Sequence, residues 1–301
     1  MSTIKLGDYN TLSMVKTAER PNPHSFGGKE TFGIFLDGGQ EGEILMPQKY
    51  VPKGVKPGDE VRCFVYLDQD ERPIATTEEP LAKVGDFAYL KVSWVNDHGA
   101  FLDWGVMKDV FCPFKEQKKR MEIGESFIVY LYVDEMSYRI VATAKVDKFI
   151  TDFNEETPQH RDELYAKQQT GEPVDLLVWQ KTDLGFKVIV ENKYAGLIYM
   201  DQIFQYVHTG DRLKGYLQNI RPDGKIDVTL QPTGRKQTVD FAETLLKWLK
   251  ENNGTCELGD KSDAELIKRR FQVSKKTYKK AIGDLYKRRL ISISDGGIML
   301  L

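Results

Sequence analysis

The chain has 301 residues, 41% hydrophobic and 29% charged, which is typical of soluble globular proteins and enough for about three domains of roughly 100 residues. No apolar stretch approaches the roughly 18 residues of a membrane helix, and MSTIKLGDYN lacks the apolar core of a secretory signal, so we expect a cytoplasmic protein without membrane contact. The net charge of −2 argues against indiscriminate nucleic-acid binding. It is the sum of about −8 over residues 1–233 and +6 from residue 234 onward, where the chain has 15 Lys and Arg and 9 Asp and Glu.

The cysteines and histidines form no recognisable site. Cys63, Cys112 and Cys256 lie far apart in the chain, and the four histidines are equally scattered. Metal-binding cysteines and histidines recur at short fixed spacings, and these spacings are not found here. We therefore expect reduced thiols, no metal site and no cofactor.

The first 231 residues repeat one order of segments three times. The first copy, about residues 6–78, contains FGIFLDGG, GEILMP and VKPGDEVRCFVYLDQDERPIATT, preceded by a long insertion, ERPNPHSFGGKET. The second, residues 84–144, contains HGAFLDWG and IGESFIVYLYVDEMSYRIVATAK. The third, about 171–231, contains LGFKVIVE, AGLIYM and VHTGDRLKGYLQNIRPDGKIDVTL. Five short strands with a glycine in the second are typical of a small oligonucleotide-binding (OB) barrel.

A glycine followed by an acidic residue precedes one strand in every copy. These pairs begin at Gly58, Gly124 and Gly210, and each is followed by a run that alternates between apolar and polar side chains. Glycine before an alternating run is a turn signal. The pairs therefore predict three equivalent turns.

The segment GAFLDWG of the second copy places an aromatic side chain where water is expected. Strand side chains alternate between two faces, so Phe101 and Asp103 share one face, and the other face holds Ala100, Leu102 and Trp104. Aspartate is seldom buried without a partner. The face that carries Phe101 is therefore predicted to be exposed.

The segment between the second and third copies predicts a connection without chemistry. TDFNEETPQHRDELYAKQQTGEP, residues 151–173, is polar and contains Pro158. We predict a linker with a short helix near Arg161–Gln169. The acidic pair Glu155-Glu156 is interpreted as part of a solvated charge run.

The C-terminal part changes its hydrophobic period from two to nearly four. From Thr238, the spacing of Phe241, Leu245, Trp248 and Leu249 predicts a helix with one apolar stripe. The following ENNG predicts the end of this helix. SDAE, Ser262 to Glu265, predicts a capping box that opens a second helix through Phe271.

A third helix and a hairpin complete this part. Ser274 is predicted to cap a helix that runs to about Arg289, and ISISDGGIML predicts two strands joined by a turn. Three helices followed by a hairpin in about 65 residues are the order of a winged-helix domain, whose third helix commonly enters the DNA major groove.

The predicted third helix is strongly basic. Its candidate nucleic-acid or docking residues are Lys275, Lys276, Lys279, Lys280, Lys287 and Arg288. KKTYKKAIGDLYKRR contains no Asn or Gln that would read adenine. Nucleic-acid contact would therefore be with phosphates, with little sequence preference and strong salt dependence. A solvated basic face and a protein-docking surface are the alternative interpretations.

The second copy resembles the S1-type RNA-binding domain over nearly all of residues 84–144, and the first copy resembles it from Phe32 onward. Three OB barrels and a winged helix together resemble the conserved virulence factor B (CvfB-like) family of bacterial regulators across almost the whole chain. The resemblance implies a multidomain, mainly β fold with three tandem S1-type barrels and a C-terminal α+β winged-helix domain. We place the domains at 1–80, 81–150, 171–233 and 234–301, with a helical linker at 151–170.

The resemblance also implies a cytoplasmic protein that binds single-stranded RNA and influences the expression of other genes. S1-type domains stack bases on aromatic side chains of an open barrel face. Carried over onto this chain, the motif predicts RNA-binding positions at Phe32, Phe35, Arg72, Lys91, His98, Phe101, Arg139, Lys187, Tyr199 and Lys225. The exposed run KEQKKR, which contains Lys115, Lys118, Lys119 and Arg120, is expected to lie beside this face.

The copies depart from the S1 motif to different degrees. Lys187 stands where the third copy should have its second aromatic residue, which leaves Tyr199 and Trp179 as its stacking surfaces. Packing inside a barrel or between domains is the alternative role for each aromatic side chain. For Trp94 and Trp104, a place in the core is the expected one.

No enzyme is predicted, and no residue is assigned a catalytic role. The sequence contains no HExxH, GxSxG, P-loop or GxGxxG motif at a strand–turn–helix junction. Two other functions stay open besides RNA binding. One is a DNA-binding transcriptional regulator that acts through the winged helix, and the other is a protein adaptor on ribosome or ribonuclease complexes.

Overall fold

The structure is a computed structural model that describes residues 4–22, 24, 28–231, 234–294 and 296–301, with the backbone alone for 234–240. The chain divides into two compact units, Met1–Phe149 and Ile150–Leu301. The first contains two barrels, and the second contains a third barrel and the C-terminal domain.

Three closed five-stranded barrels share one topology, in which the fifth strand pairs with the third and the fourth. The first barrel consists of β1 (Asp8–Pro21), β2 (Lys29–Asp37), β3 (Glu43–Pro47), β4 (Glu60–Leu67) and β5 (Pro73–Thr76). The second consists of β6 (Phe87–Val95), β7 (Gly99–Asp103), β8 (Val110–Pro113), β9 (Ser126–Val133) and β10 (Ile140–Thr143). The third consists of β11 (Pro173–Lys181), β12 (Gly185–Val190), β13 (Tyr194–Tyr199), β14 (Arg212–Ile220) and β15 (Ile226–Thr229). The predicted mainly β fold is confirmed.

One glycine in each barrel permits the second strand to approach the third. A Cβ added to Gly33, Gly99 or Gly185 would lie 2.3, 2.4 or 1.9 Å from a backbone carbonyl oxygen of the third strand. No side chain fits at such a distance, which explains why a glycine begins or interrupts the second strand of every copy.

The predicted Gly-Asp and Gly-Glu turns are confirmed. Gly58, Gly124 and Gly210 have φ angles of 93°, 88° and 98°. L-residues with side chains rarely adopt this conformation. Each pair is followed directly by the fourth strand of its barrel.

Six of the nine described residues of the insertion in the first copy extend two strands, β1 and β2. β1 and β2 continue as an antiparallel hairpin in which Glu19 faces Thr31 and Arg20 faces Glu30. The Arg20 guanidinium and the Glu30 carboxylate pair at 3.1 Å. Pro23 and residues 25–27 of the insertion lie outside the described residues.

Trp104 is buried, as predicted, but its ring packs between the two barrels of the first unit. Its centroid lies 5.5 Å from that of Phe64 and 6.3 Å from that of Tyr66, both on β4 of the first barrel. The Leu81 amide donates a hydrogen bond to the Trp104 carbonyl at 2.7 Å. Apolar burial therefore joins the first barrel to the second.

The predicted linker contains the predicted helix and also packs against the third barrel. Its helix, α1 (Pro158–Thr170), begins earlier than Arg161 because a proline is well tolerated in the first turn. Phe153 and Leu164 are buried in the core of the third barrel. A polar segment without packing partners would not bury these side chains.

Glu156 is buried, so the predicted solvated charge run is wrong at this residue. Its carboxylate accepts a hydrogen bond from the Tyr194 hydroxyl at 2.8 Å, pairs with Lys193, and lies 3.0 Å from Nδ1 of His160. These hydrogen bonds hold the pKa of Glu156 far below its ordinary value. The network ties the segment before α1 to the start of β13.

The C-terminal domain contains the predicted three helices and hairpin. They are α2 (Gly234–Glu251), α3 (Ala264–Phe271), α4 (Lys275–Lys287), β17 (Ile291–Ser294) and β18 (Gly297–Leu300). One short strand was missed: β16 (Thr255–Cys256) pairs with β18 and makes the sheet three-stranded. Asp295 of the hairpin turn lies outside the described residues.

The two helix caps have different outcomes. Ser274 caps α4 as predicted, because its hydroxyl accepts from the Thr277 amide at 3.0 Å. The cap of α3 is Asp263, which accepts from the Glu265 amide, and Ser262 instead accepts from Gly259. The predicted cap at Ser262 is therefore displaced by one residue.

Candidate nucleic-acid interface

The face of β7 predicted to be exposed is exposed. Ala100 and Leu102 are buried, Phe101 is half-buried and Asp103 is exposed. The alternation of GAFLD therefore sorts its side chains as the sequence predicts.

Phe101 lies in the middle of a row of three aromatic rings on adjacent strands. Trp94 of β6 stacks on it with a centroid distance of 3.8 Å and an angle of 4° between the ring planes. Phe111 of β8 lies 4.9 Å away on the other side. We call Trp94, Phe101 and Phe111 the aromatic row. Trp94 and Phe101 cover one ring face of each other, and Trp94 is the most exposed ring of the row.

The expectation that Trp94 belongs to the core is wrong, because its side chain is 46% exposed. The cause is an irregularity in the pairing of β6 with β7 between Val92 and Trp94. In a regular strand, residues two apart share a face, and Trp94 would be buried with Val92. A bulge adds one residue and turns the following side chain outward.

The same register in the other barrels holds different side chains. In the first barrel the row is Lys16, Phe35 and Leu45, and in the third it is Gln180, Lys187 and Leu197. All three barrels carry an irregularity just before the first position of the row. Only the second barrel therefore places aromatic rings at all three positions.

The first barrel offers a single partly covered ring in its row. Phe35 is half-buried, and the Lys16 ammonium lies 5.3 Å from its ring centroid and 2.8 Å from the Glu43 carboxylate. Phe32, also predicted to bind RNA, is half-buried near the start of β2. The first barrel therefore lacks a continuous stacking surface in this register.

The basic residues predicted on the closing strands precede those strands directly. Arg72 donates to Asp68 at 2.9 and 3.0 Å and to Asp70 at 2.8 Å, and Lys225 pairs with Asp223 at 2.9 Å. Arg139 is 58% exposed and lies 3.4 Å from Glu71 of the first barrel. Arg72 and Lys225 therefore lie closer to their acidic partners than Arg139 does to Glu71.

A cleft of about 350 Å³ adjoins the aromatic row. His98, Phe101, Phe111 and Arg139 contribute to its walls. Lys91, the remaining predicted residue of this barrel, is exposed and faces Asp103 across the β6–β7 pair. The structure therefore places His98, Phe101 and Arg139 together around one cleft.

The predicted basic loop is exposed, but much of its charge is paired. Lys118 forms an ion pair with Asp147, and Lys119 pairs with Glu125 at 2.8 Å. The Arg120 guanidinium lies 3.5 Å from the centroid of the Phe114 ring. Lys115 is exposed. The loop therefore offers less positive charge than its sequence indicates.

In the third barrel, the predicted residues contact neighbouring side chains. The Lys187 ammonium lies 5.3 Å from the Trp179 ring centroid. Arg221 contacts the Tyr199 hydroxyl and donates to Asp227 through Nε at 3.0 Å. This face is polar and internally paired where the second barrel has its aromatic row.

The basic residues of α4 fall into two groups. Lys279 pairs with Asp260 at 2.7 Å, and Arg288 pairs with Glu243 at 2.7 Å. Lys276 and Lys280 form no ion pair within the described residues, and both line a groove of about 900 Å³. Lys275 is half-buried and Lys287 is exposed.

The groove also contains amide side chains that the sequence of α4 lacks. Its glutamines come from α1 and from the third barrel and its flanking residues, and they are Gln168, Gln169, Gln202, Gln218 and Gln231. Oε1 of Gln202 is buried without a hydrogen-bond partner among the described residues. Glutamine can pair with base edges, so the tertiary structure places candidate base-reading groups beside two lysines.

The two cysteines of the first unit, Cys63 and Cys112, are buried and free. Burial raises the pKa of the Cys63 and Cys112 thiols to about 12, which keeps them protonated at neutral pH. Within the described part of the chain, no group of three or more His, Cys, Asp or Glu side chains is arranged to hold a metal ion. No described helix is both long and apolar enough to span a membrane.

Comparison with known families identifies the domains. Residues 28–78 and 84–145 match the S1 domain family, and residues 243–300 match the CvfB-like winged helix domain family. Residues 243–300 therefore form a CvfB-like winged helix domain. S1 and winged-helix domains are nucleic-acid-binding modules, so this CvfB-like protein is built from such modules, and its third barrel occupies the interval between the matched regions.

Curated relatives resemble the CvfB-like protein over most of its length. An uncharacterized protein of Bacillus subtilis, YitL, is 27% identical over 85% of this chain and 84% of its own. Conserved virulence factor B of Staphylococcus epidermidis is 23% identical over 81% of this chain and 80% of its own. A crystal structure of a multidomain protein with nucleic acid binding domains from Streptococcus pneumoniae is 22% identical over 98% of both chains, with a TM-score of 0.40.

Proposed function

We propose that this CvfB-like protein is a cytoplasmic regulator that binds single-stranded RNA and acts on gene expression after transcription. The observation that carries the proposal is the aromatic row of the second barrel, with its rings 3.8 and 4.9 Å apart. Stacking on such rings contributes roughly 1–3 kcal/mol per base and tolerates any base. Duplex bases are already stacked on each other, so the row favours a single strand.

The charge distribution supports a binding mode in which stacking, not phosphate contact, dominates at the second barrel. Residues 1–233 carry a net charge of −8, and a negative field opposes the approach of phosphates. Arg139 and His98 border the row without making it strongly basic. A site of this kind binds weakly unless a second contact assists it.

The groove beside α4 provides such a second contact. Lys276 and Lys280 lie there without acidic partners among the described residues, next to the glutamines of the groove. Two sites on one chain raise the overall affinity, because the second contact forms within an existing complex. The regulatory role rests on the family and on the staphylococcal relatives named conserved virulence factor B.

The pairing of the α4 cations weighs against a DNA-binding regulator as the first choice. A recognition helix reads the major groove with freely presented side chains. Here Lys279 and Arg288 are held by acidic residues of their own domain. Duplex binding is therefore the second candidate and an outcome of the test.

Fluorescence anisotropy tests the proposal with labelled single-stranded RNA, single-stranded DNA and duplex DNA, each at two salt concentrations. We expect single-stranded RNA to bind most tightly, salt to weaken the binding, and Phe101→Ala to reduce it. Binding of duplex DNA alone would move the function to the winged helix. No binding to any of the three would leave a protein-adaptor role, with the aromatic row as a protein contact.

A further inference from the structure

The cleft beside the aromatic row joins the two barrels of the first unit. Its apolar walls include Trp104, Val110 and Val141 of the second barrel and Leu67 of the first. Its volume of about 350 Å³ lies at the lower end of the range for small-ligand sites, roughly 300–1,000 Å³. Phe101 and Phe111 belong both to the row and to the cleft, so a strand stacked on the row has one base at its entrance.

Glu71 is the polar group that the first barrel adds to this cleft. Oε1 of Glu71 lies 3.1 Å from Nζ of Lys108 and 3.4 Å from Nε of Arg139, both from the second barrel. Lys108 also donates to the Asp68 carbonyl at 2.6 Å. A carboxylate offers about four acceptor sites, so these contacts leave acceptor capacity on Glu71.

The charges of the cleft do not favour a phosphate as its occupant. Lys108 and Arg139 are balanced by Glu71 and by Asp109, whose carboxylate also lines the cleft. Burial raises the pKa of Asp109, and hydrogen bonding to Ser93 partly opposes this effect. With two cations facing two acids on apolar walls, the cleft suits a neutral flat ring with both donors and acceptors on its edges.

We propose that this cleft binds one unstacked guanine of the RNA and that Glu71 determines the preference. Guanine carries two adjacent donors, N1–H and the N2 amino group, which match one carboxylate. Its O6 and N7 acceptors are the common partners of Arg and Lys, here Arg139 and Lys108. Adenine and cytosine each offer one amino donor and uracil one imino donor. The proposal rests on the proposed function, since it assigns a base to that RNA site.

Glu71 also has a purely structural interpretation, as an ion-pair link between the barrels. Removing a link changes the affinity for every RNA equally. Removing a base-reading group changes the ratio between bases. The decisive quantity is therefore the preference for guanine, not the affinity itself.

The experiment measures the binding of the full chain to four short oligouridines that carry G, A, C or U at the central position. We expect the G-containing RNA to bind about 5- to 10-fold more tightly than the others, within the discrimination of one good base contact. Glu71→Gln is expected to bring the four affinities within about two-fold of each other, because the amide replaces one of the two acceptor oxygens by an NH2 donor that would face a guanine donor. The all-U RNA is the reference against which the change for the G-containing RNA is measured.

Glu125→Gln is the matched control. Glu125 forms a surface ion pair with Lys119, both in the second barrel, and neither residue lines the cleft. This control is expected to keep the preference for guanine. Equal affinity of the unaltered chain for all four RNAs would overturn the guanine site and leave RNA binding intact. A preference that survives in Glu71→Gln, or an equal loss for all four RNAs, would also overturn it. If no RNA binds, the proposed function fails as well.

Discussion

The second and third barrels have the same strand order and a bulge at the same place, yet their outer faces differ in chemistry. In one register the second barrel has Trp94, Phe101 and Phe111, and the third has Gln180, Lys187 and Leu197. On the strand that pairs with the last residue of this register, the partner is Val141 in the second barrel and Asp227 in the third. The buried faces of both barrels remain apolar. A common scaffold thus tolerates either a stacking face or a polar face, because the row lies outside the core.

The largest effect should come from removing the stacking face. Trp94→Ala with Phe101→Ala is expected to weaken single-stranded RNA binding about 10- to 100-fold, because stacking contributes roughly 1–3 kcal/mol per base. Anisotropy titration measures the loss, and circular dichroism verifies that the chain remains folded. Gln180→Ala with Lys187→Ala, at the matching positions of the third barrel, is the control. If both pairs weaken binding equally, the two faces do not differ as proposed.

The next effect separates the two groups of cations on α4. Lys276→Ala with Lys280→Ala should weaken RNA binding several-fold at low salt and make the salt dependence shallower. The slope of log K against log salt is expected to change by about 1.4, because each phosphate of a single strand that is no longer neutralised changes it by roughly 0.7. Lys279→Ala with Arg288→Ala, which removes cations already paired within the domain, should leave the slope nearly unchanged. An identical slope change in both variants would contradict the assignment of the groove.

A smaller gain is expected from moving the row to the third barrel. Gln180→Trp with Lys187→Phe places two rings in the register of Trp94 and Phe101. Affinity for single-stranded RNA should rise about 5- to 10-fold, since stacking of one added base contributes at least about 1 kcal/mol. The gain is measured in a chain that carries Trp94→Ala and Phe101→Ala. A folded variant without any gain would show that rings in this register are insufficient.

The smallest effect on binding is expected at the buried acid of the third barrel. Glu156→Gln removes the charge that Lys193 and His160 contact and should lower the unfolding midpoint of the second unit by roughly 5 °C. Stacking on the second barrel should be unchanged. Thermal unfolding followed by circular dichroism measures the shift, and the exposed Glu155→Gln is the control.

The same residue predicts a pH dependence. The pKa of Glu156 is lowered in the folded chain, chiefly by the hydrogen bond from Lys193 and then by that from His160. Its stabilising contribution is therefore complete above its ordinary pKa of 4.5 and is lost as the pH falls below that value. The difference in unfolding midpoint between the native chain and Glu156→Gln should shrink between pH 6 and pH 3. A difference that stays constant over this range would contradict the network.

Much of the site was predictable because its signals are local. The alternation of GAFLD correctly assigned Phe101 to the exposed face, and the Gly-Asp and Gly-Glu pairs located the turns. Trp94 was misassigned because a bulge is a property of strand pairing, which the residues of one strand do not reveal. Phe111 was missed because its role depends on which strand lies beside β7. Glu156 was misread because its partners, Lys193 and Tyr194, lie over 35 residues away.

The sequence by itself determined the three five-stranded barrels and the order of the winged-helix elements apart from β16, since periodicity, turn glycines and caps act within a few residues. The tertiary structure alone decided which side chains meet. It stacked Trp94 on Phe101, brought Glu71 of the first barrel to Arg139 of the second, and placed glutamines beside Lys276 and Lys280. Binding surfaces combine residues from separate strands and domains, and their contacts depend on register, bulges and packing that only the folded chain specifies.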